Sequence, residues 1–162
     1  CDVWLPPGIV RYDVHTACEM HDACLDLWPG FDYGCLTAAV CDFRPSQILD
    51  QKFKKKDAHD LSIPFVPNPD ILKTLGHAKH KDQRLIGFAA ETSADLVSLA
   101  REKLEAKNVD LMIANRIDQA HSGFAGATNK VSMLDRNNRT ADLPVMNKAD
   151  IAWKIWDWTL QL

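Results

Sequence analysis

Apolar and polar positions change period along this chain, and the changes separate helices from strands. Thr16 to Trp28 carries a helical pattern that Pro29-Gly30 ends. Pro69 stands at the start of a second helical stretch, from Asp70 to about Lys79. Thr92, Ser93 and Asp95 cap a third that runs to about Lys107, with Leu96, Leu99, Ala100 and Leu104 on its inner stripe. Between these lie short apolar runs of another kind. GCLTAAV (34–40), RLIGFAA (84–90) and DLMIAN (110–115) read as strands buried on both faces of a sheet. IVRYDV (9–14) alternates like a short strand after a Pro-Pro-Gly turn, and the prolines of LSIPFVPNP (61–69) make it an edge strand at best. Strand, helix, strand, helix, strand at this spacing predicts an α/β fold with a mainly parallel sheet flanked by helices. The remainder differs in texture. Gly123 to Gly126 form a small-residue loop, KVSMLDRNNRTADLPVM (130–146) predicts a hairpin turning at Asn137-Asn138, and Asn147 starts a last helix that carries Trp153, Trp156 and Trp158.

Composition adds constraints. With 162 residues, 46% hydrophobic and 25% charged, the chain is expected to form one domain able to bury a core. No window approaches eighteen consecutive apolar residues and no charged-then-apolar leader opens the chain, so a cytoplasmic protein with no membrane span is expected. The cysteines at 1, 18, 24, 35 and 41 are odd in number and form no CxxC pair, which predicts free thiols. A start at Cys1, with DVWL leading straight into Pro6-Pro7-Gly8, looks like a segment of something longer.

A formal net charge of -3 lacks the overall cationic field of a nucleic-acid binder. The lysines at 52, 54, 55 and 56 must therefore act locally. With Asp42 on the same loop they read either as a solvated surface or import-like basic patch, or as a polyphosphate site in which ammonium charges fold over a nucleotide. Lys103 and Lys107, four residues apart on one helix face near Arg101, read as a wet pair neutralised by Glu102 and Glu105, or as part of a crevice at the strand ends. His15, Cys18 and His21 have spacings that mimic a metal site, but His15 precedes the helix and Cys18 suits inward packing, so no metal residues are assigned. No GxSxG, HExxH, GxxxxGK[ST] or GxGxxG occurs.

Several blocks then agree in order and spacing: AAVCDFRP, KFKK ten residues after Asp42, NPDIL, IGFAAET, ARxKLxxKxxDLMIAN and LPVMNKADIA. Together, from about Pro6 onward, they resemble the bacterial phosphopantothenate-cysteine ligase, the C-terminal half of a bifunctional coenzyme A biosynthesis protein. The resemblance implies a three-layer, Rossmann-like, mainly parallel sheet with a C-terminal hairpin and helix. It also implies a reaction in two half-steps: the carboxylate of 4'-phosphopantothenate attacks the α-phosphate of CTP with loss of pyrophosphate, and the amine of L-cysteine then displaces CMP. Mg2+ would accompany CTP, and FMN would enter only with a fused decarboxylase. A homodimer is implied, as is possible fusion to or association with that decarboxylase, with no nucleic acid or membrane partner.

By position, Lys52 is similar to the family's lysine that contacts the activated intermediate, and is the expected catalytic residue. Leu36, Thr37 and Ala38 match its backbone contacts to nucleotide and Asp42 its nucleotide-binding aspartate. Pro69, Asp70, Ile71 and Leu72 with Phe88 match positions around the nucleotide, and Lys103 and Lys107 its pair of helix lysines. The chain also departs from the family. The glycine-rich strand-loop-helix with its GGT stretch and SNxSSGxxG-like loop does not precede Cys1, the SGP loop is shortened between Leu5 and Pro6, and Cys41 stands where alanine is more usual. A single ligase domain lacking that N-terminal segment is therefore expected. The alternatives are a non-catalytic nucleotide-binding or regulatory module of the same fold, and nucleic-acid binding through KFKKK, which no aromatic platform or second basic patch accompanies.

Overall fold

The computed structural model describes residues 5–47, 62–91, 95–116 and 126–162. Helix α1 (Ala17–Leu27) opens on Thr16, whose hydroxyl accepts a bond from the Glu19 amide, and ends in the 3-10 turn Trp28–Gly30. Strand β1 (Tyr33–Leu36) is followed by an antiparallel pair, β2 (Phe43–Pro45) and β3 (Phe65–Pro67), and then by α2 (Ile71–Ala78). Next come β4 (Arg84–Glu91), α3 (Leu96–Ala106) and β5 (Leu111–Arg116). The C-terminal part holds β6 (Thr128–Asn129), β7 (Val131–Asp135), β8 (Thr140–Asp142), β9 (Met146–Asn147) and α4 (Lys148–Thr159).

The main sheet has the order β1-β4-β5-β7-β8, parallel through β1, β4 and β5 and antiparallel through the β7-β8 hairpin. Side-chain alternation divides each central strand between two cores. Leu85 and Ala89 of β4, Met112 and Ala114 of β5 and Leu134 of β7 meet Ile71 and Leu75 of α2 and Ala100 and Leu104 of α3, with Met20 and Cys24 of α1 at the margin. On the other face Ile86, Leu111, Ile113, Val131 and Met133 meet Ile151 and Ile155 of α4. Three layers result, as expected. The close approach of α2 depends on two glycines: a Cβ on Gly87 would stand 2.6 Å from Leu72 Cδ2, and one on Gly76 would stand 1.9 Å from the Lys107 carbonyl oxygen.

Several expectations are corrected. Residues 9–14 form no strand; Ile9, Val10 and Tyr12 are exposed, and alternation alone makes no strand where no sheet edge is offered. GCLTAAV is not buried on both faces. β1 stops at Leu36 and alternates between exposed and half-buried, because it ends the sheet order and Thr37 to Val40 leave it as exposed loop. Phe43–Pro45, read as loop, pairs with Phe65–Pro67. Pro69 lies just before the cap of α2 rather than inside the helix; Asp70 is the cap and accepts from the Lys73 amide at 3.0 Å. Asp95 sits at the N-cap of α3 without a side-chain cap bond, while Thr92 and Ser93 lie outside the described residues. The inner face of α4 is Ile151, Ile155 and Trp158, and Trp153 points outward at 67% exposure.

The hairpin turns where expected, with Asn138 left-handed at φ 61. Its organiser is the fully buried Asp135. Oδ1 accepts from the Asn137 and Arg139 amides, and Oδ2 accepts from Arg139 Nε and Trp158 Nε1. Burial works to raise this carboxyl, but the Arg139 and Trp158 donors outweigh it and hold it below the usual carboxylate range. A lowered folded-state pKa contributes stability that is present above the unfolded value of about 3.9 and is lost as pH falls through the folded value. Thermal melts between pH 6 and pH 2 are expected to show a flatter acid limb for Asp135→Asn than for the native chain. Parallel limbs would show that this carboxylate does not drive acid unfolding.

Candidate functional site

Parallel strands place their C-terminal ends together, and in such sheets the loops leaving those ends enclose ligands. Here they enclose a cavity of about 580 Å³. Leu36, Thr37 and Ala38 enter it as the chain leaves β1, and Phe88 and Ala90 from the C-terminal half of β4. Asp42 borders it from the base of β2, and Pro69, Asp70, Ile71 and Leu72 form the lip at the start of α2. Lys103 and Lys107 reach it from α3. Every nucleotide-site residue expected from the sequence that falls in the described residues thus lines one cavity. Lys52 lies outside them, as do the other lysines of the run.

The base of the β2-β3 pair is clamped to the lip. Asn68 Nδ2 donates to the Cys41 carbonyl at 2.8 Å, and its amide donates to the Asp42 carbonyl at 2.7 Å. Arg44 Nη1 donates to the Pro67 carbonyl and to Asn68 Oδ1. These bonds carry Asp42 and Asp70, far apart in sequence, to one rim.

The two carboxylates differ. Asp70 pairs with Lys107, Nζ to Oδ2 at 3.0 Å, as well as capping α2. Partial burial pushes its carboxyl up, but the Lys73 amide and Lys107 push it down further, and the net position is below the ordinary value. The Asp42 side chain is exposed and has no bonded partner among the described residues. That matters for a hard cation, which takes oxygen ligands and, when it accompanies a nucleotide, needs only one or two protein carboxylates beside the phosphates. His15 is 87% exposed beside Glu19 and His21 bonds Asp22, and among the described residues no three His, Cys, Asp or Glu cluster as a metal site. Cys18, Cys24, Cys35 and Cys41 are free thiols. No helix of the described residues is long and apolar enough to cross a membrane.

The cavity has a second wall that sequence reasoning missed: Asn115, Asn129 and Lys148, with Ile151 and Ile155 of α4 beneath. Asn115 is 9% exposed. Its position was legible, since it stands opposite Ala90 at the end of the neighbouring parallel strand. Asn129 and Lys148 were not, because only the β6-β9 pairing of Thr128 with Asn147 brings them there.

Comparison with known proteins bears on the family and the fold. Over 151 residues the chain is 39% identical to the coenzyme A biosynthesis bifunctional protein CoaBC of Bacillus subtilis (strain 168), covering 93% of this chain and 36% of that relative. The chain thus spans little more than a third of the relative's length. The crystal structure of the C-terminal domain of a coenzyme A biosynthesis bifunctional protein CoaBC superposes with a TM-score of 0.76 at 29% identity, over 97% of this chain and 67% of that one. The Cab2 mutant H337A in complex with phosphopantothenate-cysteine superposes with a TM-score of 0.51 at 21% identity, over 69% and 38%, and shares the fold. The family model that matches describes the DNA/pantothenate metabolism flavoprotein C-terminal domain and spans residues 1–162, and the chain belongs to that family.

Proposed function

We propose that this chain is the ligase part of a coenzyme A biosynthesis protein, joining 4'-phosphopantothenate to L-cysteine through an acyl-cytidylate formed from CTP. The observation that supports this reading most is the convergence of Leu36 to Ala38, Asp42, Pro69 to Leu72, Phe88, Lys103 and Lys107 on one cavity from five separated segments. The Phe88 ring and the aliphatic floor suit a flat base, while backbone groups of Thr37 and Ala38 suit its polar edge. Lys103 and Lys107 supply cationic charge for phosphates. Lys107 is already held by Asp70, so a phosphate bound there competes with that carboxylate.

Asp42 is the residue that would hold Mg2+, and the ion would neutralise charge on the nucleotide phosphates. Lys52 is assigned the catalytic role, stabilising charge on the transferring phosphoryl and acyl oxygens. FMN belongs to this protein only if its parent carries the decarboxylase, and no residue of the cavity is assigned to it. A cytoplasmic homodimer completes the reading.

The test is pyrophosphate release by the full-length parent with phosphopantothenate, cysteine and either CTP or ATP. Multiple-turnover release that requires CTP and phosphopantothenate and is sustained only with cysteine is expected. CTP binding in calorimetry with no release under any combination would replace the ligase by a non-catalytic nucleotide-binding module.

A further inference from the structure

At the opposite end of the sheet, where β4 and β5 begin and β7 ends, lies a second hollow of about 350 Å³. Lys79, Lys81, Arg84 and Arg136 line it, and Asp110 is the one carboxylate side chain among its described lining residues. That carboxylate is already saturated. Oδ2 accepts from Lys79 Nζ and from the Leu85 amide, and Oδ1 faces Arg136 Nε at 3.1 Å. Arg84 finds only backbone oxygens, those of Lys81, Gln83 and Leu162. The Lys81 side chain is exposed and has no partner among the described residues. Four basic side chains therefore face one spoken-for side-chain carboxylate and the oxygen of Leu162, which Arg84 already holds, in a chain whose formal net charge is -3.

We propose that this hollow is an anion site for a tetrahedral phosphate group, bound by Lys81 and Arg84 against the fixed Lys79-Asp110-Arg136 cluster. The chemistry favours an oxyanion with several acceptors. A guanidinium presents paired donors to phosphate oxygens, an ammonium adds a point charge, and both gain strength from a partly dry wall. Lys79 and Asp110 supply such a wall, with side chains 6% and 4% exposed. Burial holds the Lys79 ammonium below its ordinary range against the pull of Asp110, and Arg136 and Arg84 push the same way. An incoming dianion relieves that like-charge crowding. The site is remote from the nucleotide cavity and stands independently of the ligase reading.

Residue-resolved NMR of the full chain, titrated with inorganic phosphate at constant ionic strength against chloride, tests it. Saturable shifts are expected at the amides of residues 79–84, 108–110 and 136–137, apart from any at the nucleotide cavity. Combined Lys81→Gln and Arg84→Gln leaves Asp110 and its two partners in place and is expected to weaken binding about tenfold or more, the loss of one or two charge-assisted bonds. Should that variant fail to fold, Lys81→Gln alone, at an exposed position, carries the same comparison with a smaller loss. Glycerol phosphate run in parallel separates sources: affinity equal to phosphate identifies the phosphoryl group of a larger molecule, and absence of binding identifies the free ion. Shifts that follow chloride, fail to saturate, persist unchanged in the variants or occur only at the nucleotide cavity would overturn the site.

Discussion

Lys52→Gln in the full-length parent is expected to slow CTP-dependent pyrophosphate release about 10² to 10³-fold, as for other single electrostatic groups aimed at a transition state. Glutamine keeps a hydrogen-bond donor on a side chain one atom shorter and removes the charge. The group acts where charge develops, so the fall should appear in kcat, with a smaller change in KM for CTP. Lys54, Lys55 and Lys56 follow directly, and a neighbour that substitutes in part would leave the loss near the lower figure. A melting temperature measured alongside separates lost chemistry from lost fold. Turnover equal to the native rate would remove Lys52 from the catalytic role, leaving the cavity's binding function standing.

The largest stability effect is expected at Asp110. Its replacement by alanine leaves the Lys79 ammonium, on a side chain 6% exposed, facing a cavity instead of a carboxylate, and strips the Leu85 amide at the start of β4 of its acceptor. Breaking a buried pair from one side costs about 3–5 kcal/mol, because the remaining charge cannot be rehydrated in place. That is a large part of the roughly 5–15 kcal/mol that holds a domain together. Urea denaturation measures the loss. Combining Lys79→Met with Asp110→Ala should recover part of it by removing the stranded charge, a recovery that simple loss of packing would not produce. A single-variant loss under about 1 kcal/mol would mean that water reaches Lys79 and that the pair behaves as a surface bridge.

Legibility from sequence followed the physics of each element. The central strands β4 and β5 were readable because both their faces are covered, so their apolar runs are unbroken. The Asn137-Asn138 turn was readable because its residue types tolerate the left-handed backbone that Asn138 adopts. IVRYDV was misread because alternation records a preference and not a partner, and a strand exists only where an edge accepts it. β1 was overextended for a related reason: small apolar residues serve equally in a covered strand and in a loop that brings backbone to a cavity.

The candidate site divides the same way. Motif order in the chain by itself points to Asp42, Pro69 to Leu72, Phe88, Lys103 and Lys107. Two facts needed the fold. The Lys107-Asp70 pair joins residues on two helices, and the Asn129-Lys148 wall arises from a two-residue pairing near the C-terminus. Local sequence determined which segments become helix and which side chains carry charge, since those depend on the residue itself and on neighbours a few positions away. Tertiary structure alone decided which charges are saturated and which face a hollow, because distance in space, and not in sequence, governs ion pairing and desolvation.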